Sequence, residues 1–155
     1  MYEALLRLWR VVPLPPPLRN WILFWGNQHY LVVVAALIRD EQGRVLLGRH
    51  SYLPPPGWNL PGGTLRGTES LEGGLARELR EELGFPVEVG PLVAWATLPA
   101  PRRVAFGFAC ERRGGVFRPN AEIVEISYFP VDEAVRLIRN DARVLLQIAA
   151  AAGRL

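Results

Sequence analysis

Residues 63–85 read GTLRGTESLEGGLARELREELGF, and this stretch decides the fold. Its glutamates Glu78, Glu81 and Glu82 lie three and four positions apart, a spacing that places them on one face of a helix. A stripe of leucines at steps of four residues, from Leu71 to Leu83, runs beside them. The stretch therefore predicts an amphipathic helix that buries its leucines and shows a carboxylate cluster at the edge of the buried side.

This carboxylate cluster requires a cation. Like charges at helical spacing destabilise a bare helix by about 0.2–0.5 kcal/mol per pair, and Arg77, at the edge of the cluster, offsets only part of the charge. Carboxylate oxygens favour Mg²⁺ or Mn²⁺, and Mg²⁺ commonly binds substrate phosphates as well. A solvated glutamate face is the alternative, but Gly62-Gly63 and the fixed Glu69 and Arg77 favour a metal site with a phosphate-bearing substrate.

The same stretch resembles a known family signature. The specified positions are Gly63, Glu69, Arg77, Glu78, Glu81, Glu82 and Gly84, with apolar Leu79 and Phe85. Their spacing, G-x5-E-x7-R-E-U-x-E-E-x-G-U with U a bulky apolar residue, resembles the Nudix box of the Nudix hydrolases. Phe85 departs from the usual aliphatic residue but keeps the apolar character. The resemblance covers roughly residues 30–135 and implies an α/β fold, an α/β/α sandwich with a mixed β-sheet.

The resemblance also implies a reaction and its ligands. Glu78, Glu81 and Glu82 would bind Mg²⁺ or Mn²⁺ and take part in catalysis, with the carbonyl of Gly63 as a further ligand. The reaction would be metal-dependent hydrolysis of a phosphoanhydride in a nucleoside diphosphate linked to another group, such as ADP-ribose or a nucleoside triphosphate. Glu69 and Arg77 would order the site, and Gly84 would end the helix as a C-terminal cap.

A further glutamate is expected after the box, because many Nudix enzymes use one there as a base or ligand. Glu122 is the first choice and Glu125 the second. The loop after Pro119 can carry Glu122 toward the metal, whereas Glu125 enters a strand whose alternation turns it away. A solvated carboxylate is the alternative for each.

Three other residues are candidates for substrate binding. Arg49 follows a strand at a place where family members often carry a basic residue, and an ordinary surface arginine is the alternative. Trp58 and Phe106 are candidates for stacking on a base, with a place in the core as the main alternative.

Nudix enzymes that cleave ADP-ribose tend to carry a proline about sixteen positions past the box, and Pro101 stands there with Pro99 close by. The substrate therefore leans slightly toward ADP-ribose.

The whole chain suits one domain of 155 residues with a substantial core. Its net charge of +3 comes from scattered arginines with no lysine, so no DNA partner is expected. The single Cys110, expected to be buried, suits a reducing cytoplasm, and no signal peptide is recognisable. The apolar run from Trp21 to Ile38 is interrupted by polar residues 27–29 and predicts a helix followed by a strand, not a membrane span.

The chain divides into two parts. Residues 1–27 form a helical appendage, with helices over Tyr2 to Val12 and Leu18 to Trp25, and residues 28–155 form the Nudix-like domain. The aromatic residues of the appendage are expected to pack on their own domain, with a homodimer interface or a membrane surface as alternatives. In the domain, Tyr30 to Ile38 is a buried strand and Arg44 to Gly48 is the strand that returns from a turn.

Two other functions remain open at this level. A non-catalytic nucleotide-sensing module on the same fold is one, although such modules usually lose box glutamates and this chain keeps them. An RNA-processing Nudix enzyme acting on capped 5′ ends is the other, and the lack of a basic cluster weighs against it.

Overall fold

The computed structural model describes residues 15–99, 101–138 and 142–155. Within them the elements are α1 (Pro16–Gly26), β1 (Leu31–Ile38), β2 (Val45–His50), β3 (Trp58–Asn59), β4 (Gly62–Thr64), α2 (Leu71–Leu83), β5 (Val87–Pro99), β6 (Arg102–Arg112), β7 (Ile123–Phe129), α3 (Val131–Leu137) and α4 (Ala142–Ala151). The predicted helix over Tyr2 to Val12 lies outside the described residues.

In the described residues, seven strands form two sheets. The first has the order β4-β1-β6-β5 and is mixed, because β1 runs parallel to β6 while the other pairs are antiparallel. The second has the order β3-β2-β7 and is antiparallel. The α/β class and the mixed sheet predicted from the sequence are confirmed.

The strand predicted to return beside β1 does not pair with it. Both edges of β1 are taken, by β4 and β6, so β2 pairs with β3 and β7 in the second sheet. Only an isolated bridge between Arg39 and Val45 links the two strands across the turn. As a result, the end of β2 is directed toward the carboxylate helix and away from the turn.

Two apolar cores lie on opposite faces of the sheets, because side chains alternate along each strand. On one face Val34, Ala36 and Ile38 of β1 pack with the leucines of α2. On the other face Ala35 and Leu37 pack with residues of α3 and α4. Helices thus cover both faces, as an α/β/α sandwich requires.

Helix α1 does not pack on its own domain, contrary to the main expectation. Pro16 and Pro17 start it, as proline suits the first turn. None of its residues is buried, and Trp21, Phe24 and Trp25 are all exposed. No helix in the described ranges is both long and apolar enough to cross a bilayer.

Candidate active site

Helix α2 is fixed at both ends by caps. Ser70 is the N-cap, and its Oγ accepts a hydrogen bond from the backbone N–H of Gly73 at 3.0 Å. Gly84 ends the helix in the left-handed conformation at φ 68°. Gly74 lets the preceding loop cross close to the helix, since a Cβ there would lie 2.1 Å from Cδ2 of Leu65. The caps and this crossing set the position of the carboxylate face.

The three box glutamates differ sharply in exposure. Glu82 is 2 % exposed and Glu78 is 8 % exposed, whereas the side chain of Glu81 is 45 % exposed. Buried carboxylates are rare unless they are paired or bind a metal. Glu78 and Glu82 are one helical turn apart, so the helix holds two carboxylates inside the protein at the edge of its leucine stripe.

Glu82 lies between the β4 loop and the end of β2. Its Oε2 accepts a hydrogen bond from the backbone N–H of Gly62 at 2.7 Å. Its Oε1 lies 4.0 Å from Nδ1 of His50. Burial, together with the charges of Glu78 and Glu122, raises the pKa of Glu82 to about 8 against the pull of the Gly62 N–H. At neutral pH the metal-free protein therefore holds Glu82 largely protonated.

His50 is equally buried. Burial lowers the pKa of its imidazole to about 4. Since Glu82 and His50 are both uncharged between about pH 4 and pH 8, the 4.0 Å contact between them is not an ion pair. Tyr52 packs edge-on against the imidazole, with ring centroids 5.4 Å apart.

Arg77 ties the other glutamates together. Its Nε and Nη2 donate to the two oxygens of Glu69 at 2.7 and 2.9 Å, a bidentate pair that holds the pKa of Glu69 near 2. Its Nη1 donates to Glu78 at 2.7 Å and to Glu81 at 3.3 Å. Arg77 thereby fixes the direction of the Glu78 carboxylate, while Glu69 holds Arg77 in place.

Two adjacent glycines shape the wall of the site, each in a different way. The backbone that favours glycine is at Gly62, with φ 140°, where a Cβ would lie 2.1 Å from the carbonyl oxygen of Val34. Gly63 has an ordinary φ. A side chain is excluded at Gly63 because a Cβ would lie 2.5 Å from Cδ of Glu78. Gly63 therefore makes room for a carboxylate.

The donor set of this cluster fits a hard divalent cation. The carboxylates of Glu78, Glu81 and Glu122 lie close enough to raise the pKa of Glu82, and oxygen donors are those that Mg²⁺ and Mn²⁺ prefer. In the described part of the chain, no three His, Cys, Asp or Glu side chains already stand close enough to enclose an ion. One oxygen of Glu78 and one oxygen of Glu81 instead accept hydrogen bonds from Arg77.

Comparisons with known proteins decide the family. A model of the NUDIX domain matches residues 29–148. The chain belongs to the Nudix hydrolase family. It is 38 % identical over 102 residues to a MutT-like protein of Streptomyces ambofaciens, covering 66 % of this chain and 65 % of that protein. It is 34 % identical over 93 residues to an 8-oxo-(d)GTP phosphatase of Mycolicibacterium smegmatis, covering 57 % of this chain and 29 % of that protein.

A solved structure extends the likeness to the fold. An ADP-ribose pyrophosphatase from Streptococcus suis superposes with a TM-score of 0.63 at 26 % identity, covering 82 % of this chain and 94 % of that one. This chain spans less than two thirds of the length of the two curated relatives named above. The family shared with these proteins is that of nucleotide pyrophosphohydrolases that generally use a divalent metal.

The two glutamates after the Nudix box lie in different surroundings. Glu122 is near enough to the box for its charge to raise the pKa of Glu82. Glu125 instead accepts a hydrogen bond from Nε of Arg49 at 2.8 Å, with both side chains exposed. A bulge in β7 separates them, because Arg49 pairs with Glu125 while His50 pairs with Ile123.

Arg49, predicted to contact phosphates, does not point into the carboxylate cluster. It alternates with His50 along β2, so its side chain lies on the sheet face away from Glu82. There it pairs with Glu125. The sequence selected the cationic residue, whereas strand alternation brings its neighbour His50 to the box.

The two predicted stacking residues are part of the packing. Trp58 is half-buried, with its ring 4.9 Å from that of Phe129 and against the core beneath α3 and α4. Phe106 is half-buried against the α2 core. Trp95, which pairs with Phe106 across β5 and β6, is the more exposed aromatic residue on that face.

Asn120 was missed by sequence reasoning, although it orders the site. Its Nδ2 donates to the carbonyl oxygen of Glu82 at 2.7 Å, and its Oδ1 accepts from the backbone N–H of Glu122 at 2.9 Å. The backbone N–H of Ser51 donates to the carbonyl of Glu122 at 2.9 Å. The loop that carries Glu122 is thus fastened to both α2 and β2. An asparagine two residues before the candidate glutamate was the available signal.

Proposed function

We propose that this chain is a metal-dependent pyrophosphohydrolase that cleaves a phosphoanhydride in a nucleoside diphosphate linked to another group. One observation carries the proposal. The Nudix box holds Glu78 and Glu82 buried, with Glu122 close enough to influence Glu82. Burying Glu82 as an anion costs free energy that a bound cation would offset, and this supports a metal site there.

Each side chain has a defined part in the proposed reaction. Glu78, Glu81 and Glu82 would hold Mg²⁺ or Mn²⁺ together with the backbone of the Gly62-Gly63 loop. When bound, the ion neutralises phosphate charge and lowers the pKa of a coordinated water.

Arg77 keeps the carboxylate of Glu78 directed at the site through its 2.7 Å hydrogen bond. Glu122 accepts a proton from water as the water oxygen bonds to phosphorus and the anhydride P–O bond breaks. The products are two phosphate-bearing fragments. The electrostatic contribution is expected to dominate, as in other phosphoryl transfers.

The substrate is proposed as ADP-ribose or a nucleoside triphosphate. One relative is named an 8-oxo-(d)GTP phosphatase and a structural neighbour an ADP-ribose pyrophosphatase. Pro99 ends β5 and Pro101 precedes β6. Nudix enzymes that cleave ADP-ribose tend to carry a proline about sixteen positions past the box, where Pro101 stands. This position gives ADP-ribose a slight preference.

The test is a nucleotide panel with product analysis. ADP-ribose, dGTP and 8-oxo-dGTP are incubated with the chain in Mg²⁺, in Mn²⁺ and in excess chelator. We expect hydrolysis with either metal and none in chelator. Glu82→Gln should abolish turnover, and Glu125→Gln, which changes a carboxylate paired with Arg49, serves as the matched control. Equal turnover by Glu82→Gln and the parent would refute the proposed site.

A further inference from the structure

His50 is buried in a way that ordinary packing does not explain. Its side chain is 1 % exposed, and neither ring nitrogen has a hydrogen-bond partner in the described part of the chain. A buried polar group without a partner costs about 1–3 kcal/mol. A buried histidine is normally satisfied by a carbonyl, carboxylate, water or metal. A ligand that binds a ring nitrogen would therefore satisfy the buried imidazole.

Nδ1 of His50 lies near an oxygen of the proposed metal site. Nδ1 lies 4.0 Å from Oε1 of Glu82, which is too long for a hydrogen bond. The other oxygen, Oε2, is already bonded to the N–H of Gly62. Within the described residues, Oε1 of Glu82 and Nδ1 of His50 are thus two potential metal-binding atoms without a hydrogen-bond partner inside the protein.

Their separation suits two ligands of one ion. With metal–ligand bonds of about 2.1 Å, two donor atoms lie about 3.0 Å apart at a right angle and about 4.2 Å apart on opposite sides. The observed 4.0 Å falls within these limits. Tyr52 packs edge-on against the imidazole. The pair can therefore share an ion with small side-chain movements.

We propose that His50 supplies a nitrogen ligand to the divalent ion held by Glu82. This inference rests on the proposed function, because it adds a ligand to the same metal site. Carboxylates alone suit Mg²⁺, whereas an imidazole nitrogen raises the affinity for transition-metal ions relative to Mg²⁺. The site should bind Mn²⁺ better, compared with Mg²⁺, than a site of carboxylates alone.

The chain offers a direct spectroscopic test, because it contains only two histidines. The full chain is loaded with one equivalent of Mn²⁺, and pulsed EPR detects a ¹⁴N nucleus bound directly to the ion. We expect the nitrogen signal in the parent and also in His29→Gln, because the imidazole of His29 packs against Phe24 and not at the metal site. The signal should disappear in His50→Gln. Absence of the signal from the Mn²⁺-loaded parent, or its persistence in His50→Gln, overturns the inference.

Metal affinity provides the second measurement. Titration of the metal-free proteins should show that His50→Gln weakens Mn²⁺ binding about tenfold more than Mg²⁺ binding, the lower end of the range for loss of a metal-site partner. Equal weakening for both ions counts against a nitrogen ligand. If His50→Gln does not fold, the nitrogen signal in the parent and His29→Gln decides alone.

The outcomes separate this inference from the proposed function. A parent that binds Mn²⁺ and hydrolyses nucleotides but gives no nitrogen signal refutes only the role of His50. A parent that binds Mg²⁺ but not Mn²⁺ refutes only the role of His50, and a parent that binds neither ion refutes both. A parent that binds Mn²⁺ through nitrogen but hydrolyses no nucleotide keeps the ligand and refutes the reaction.

Discussion

Glu82→Gln should stabilise the metal-free protein, and the size of the effect should depend on pH. The pKa of Glu82 rises from 4.5 in the unfolded chain to about 8 in the folded one. A raised pKa means that stability from this group is fully present below pH 4.5 and is lost as the pH rises through 8. At 1.36 kcal/mol per pKa unit, the parent loses about 5 kcal/mol at most over this range.

The variant should not lose this stability. Gln carries no charge, has nearly the helix propensity of Glu, and keeps an oxygen for the N–H of Gly62. In chelator at pH 9 it should melt about 10 °C above the parent, and the difference should vanish near pH 4.5. Differential scanning calorimetry across this pH range measures it, with the exposed Glu125→Gln as a control that follows the parent.

Added metal should reverse the order at high pH. Mg²⁺ binds only where the site is intact, so it should raise the melting temperature of the parent more than that of Glu82→Gln. If the variant melts several degrees below the parent in chelator at every pH, Glu82 is a structural residue and the reasoning fails.

Three further changes test separate parts of the site. Glu122→Gln should lower turnover more than Glu125→Gln, because Glu122 lies close enough for its charge to raise the pKa of Glu82, whereas Glu125 is paired with Arg49. If Glu125→Gln has the lower rate constant, the roles assigned to the two glutamates are reversed. Gly63→Ala should lower kcat about 100-fold by displacing the carboxylate of Glu78, since a shift of about 1 Å costs that much; an unchanged kcat would mean that Glu78 needs no fixed position. Ser70→Ala should lower the stability of the protein by about 1 kcal/mol through loss of the N-cap bond, with kcat nearly unchanged, and thermal melting with kinetics checks both.

Local sequence signals predicted the carboxylate helix well. The leucine spacing and the terminal glycine are short-range features, and they predicted the helix and its end at Gly84. The helix was expected to start at Glu69 or Ser70 and begins at Leu71, with Ser70 as its N-cap. Burial of Cys110 followed from its apolar surroundings in the same way. These features depend on neighbours within a few residues, which a single sequence displays.

Long-range pairing could not be predicted from the sequence alone. The strand after the turn at 40–43 resembled half of a hairpin, yet β1 has both edges occupied and β2 pairs with β7 instead. That pairing turns His50 inward and Arg49 outward, so the charged residue that attracted attention is not the one beside Glu82. The burial that raises the pKa of Glu82 also depends on tertiary packing, which is why helix spacing alone gave a much smaller stability effect.

The central claim is that the buried box carboxylates perform hydrolysis through a bound divalent ion. The most direct measurement is phosphorus-31 NMR of ADP-ribose and dGTP incubated with the parent and Glu82→Gln, with Mg²⁺ and then with excess chelator. We expect cleaved phosphoanhydride only for the parent with metal. Equal cleavage by the parent in excess chelator, or by Glu82→Gln with Mg²⁺, would contradict it.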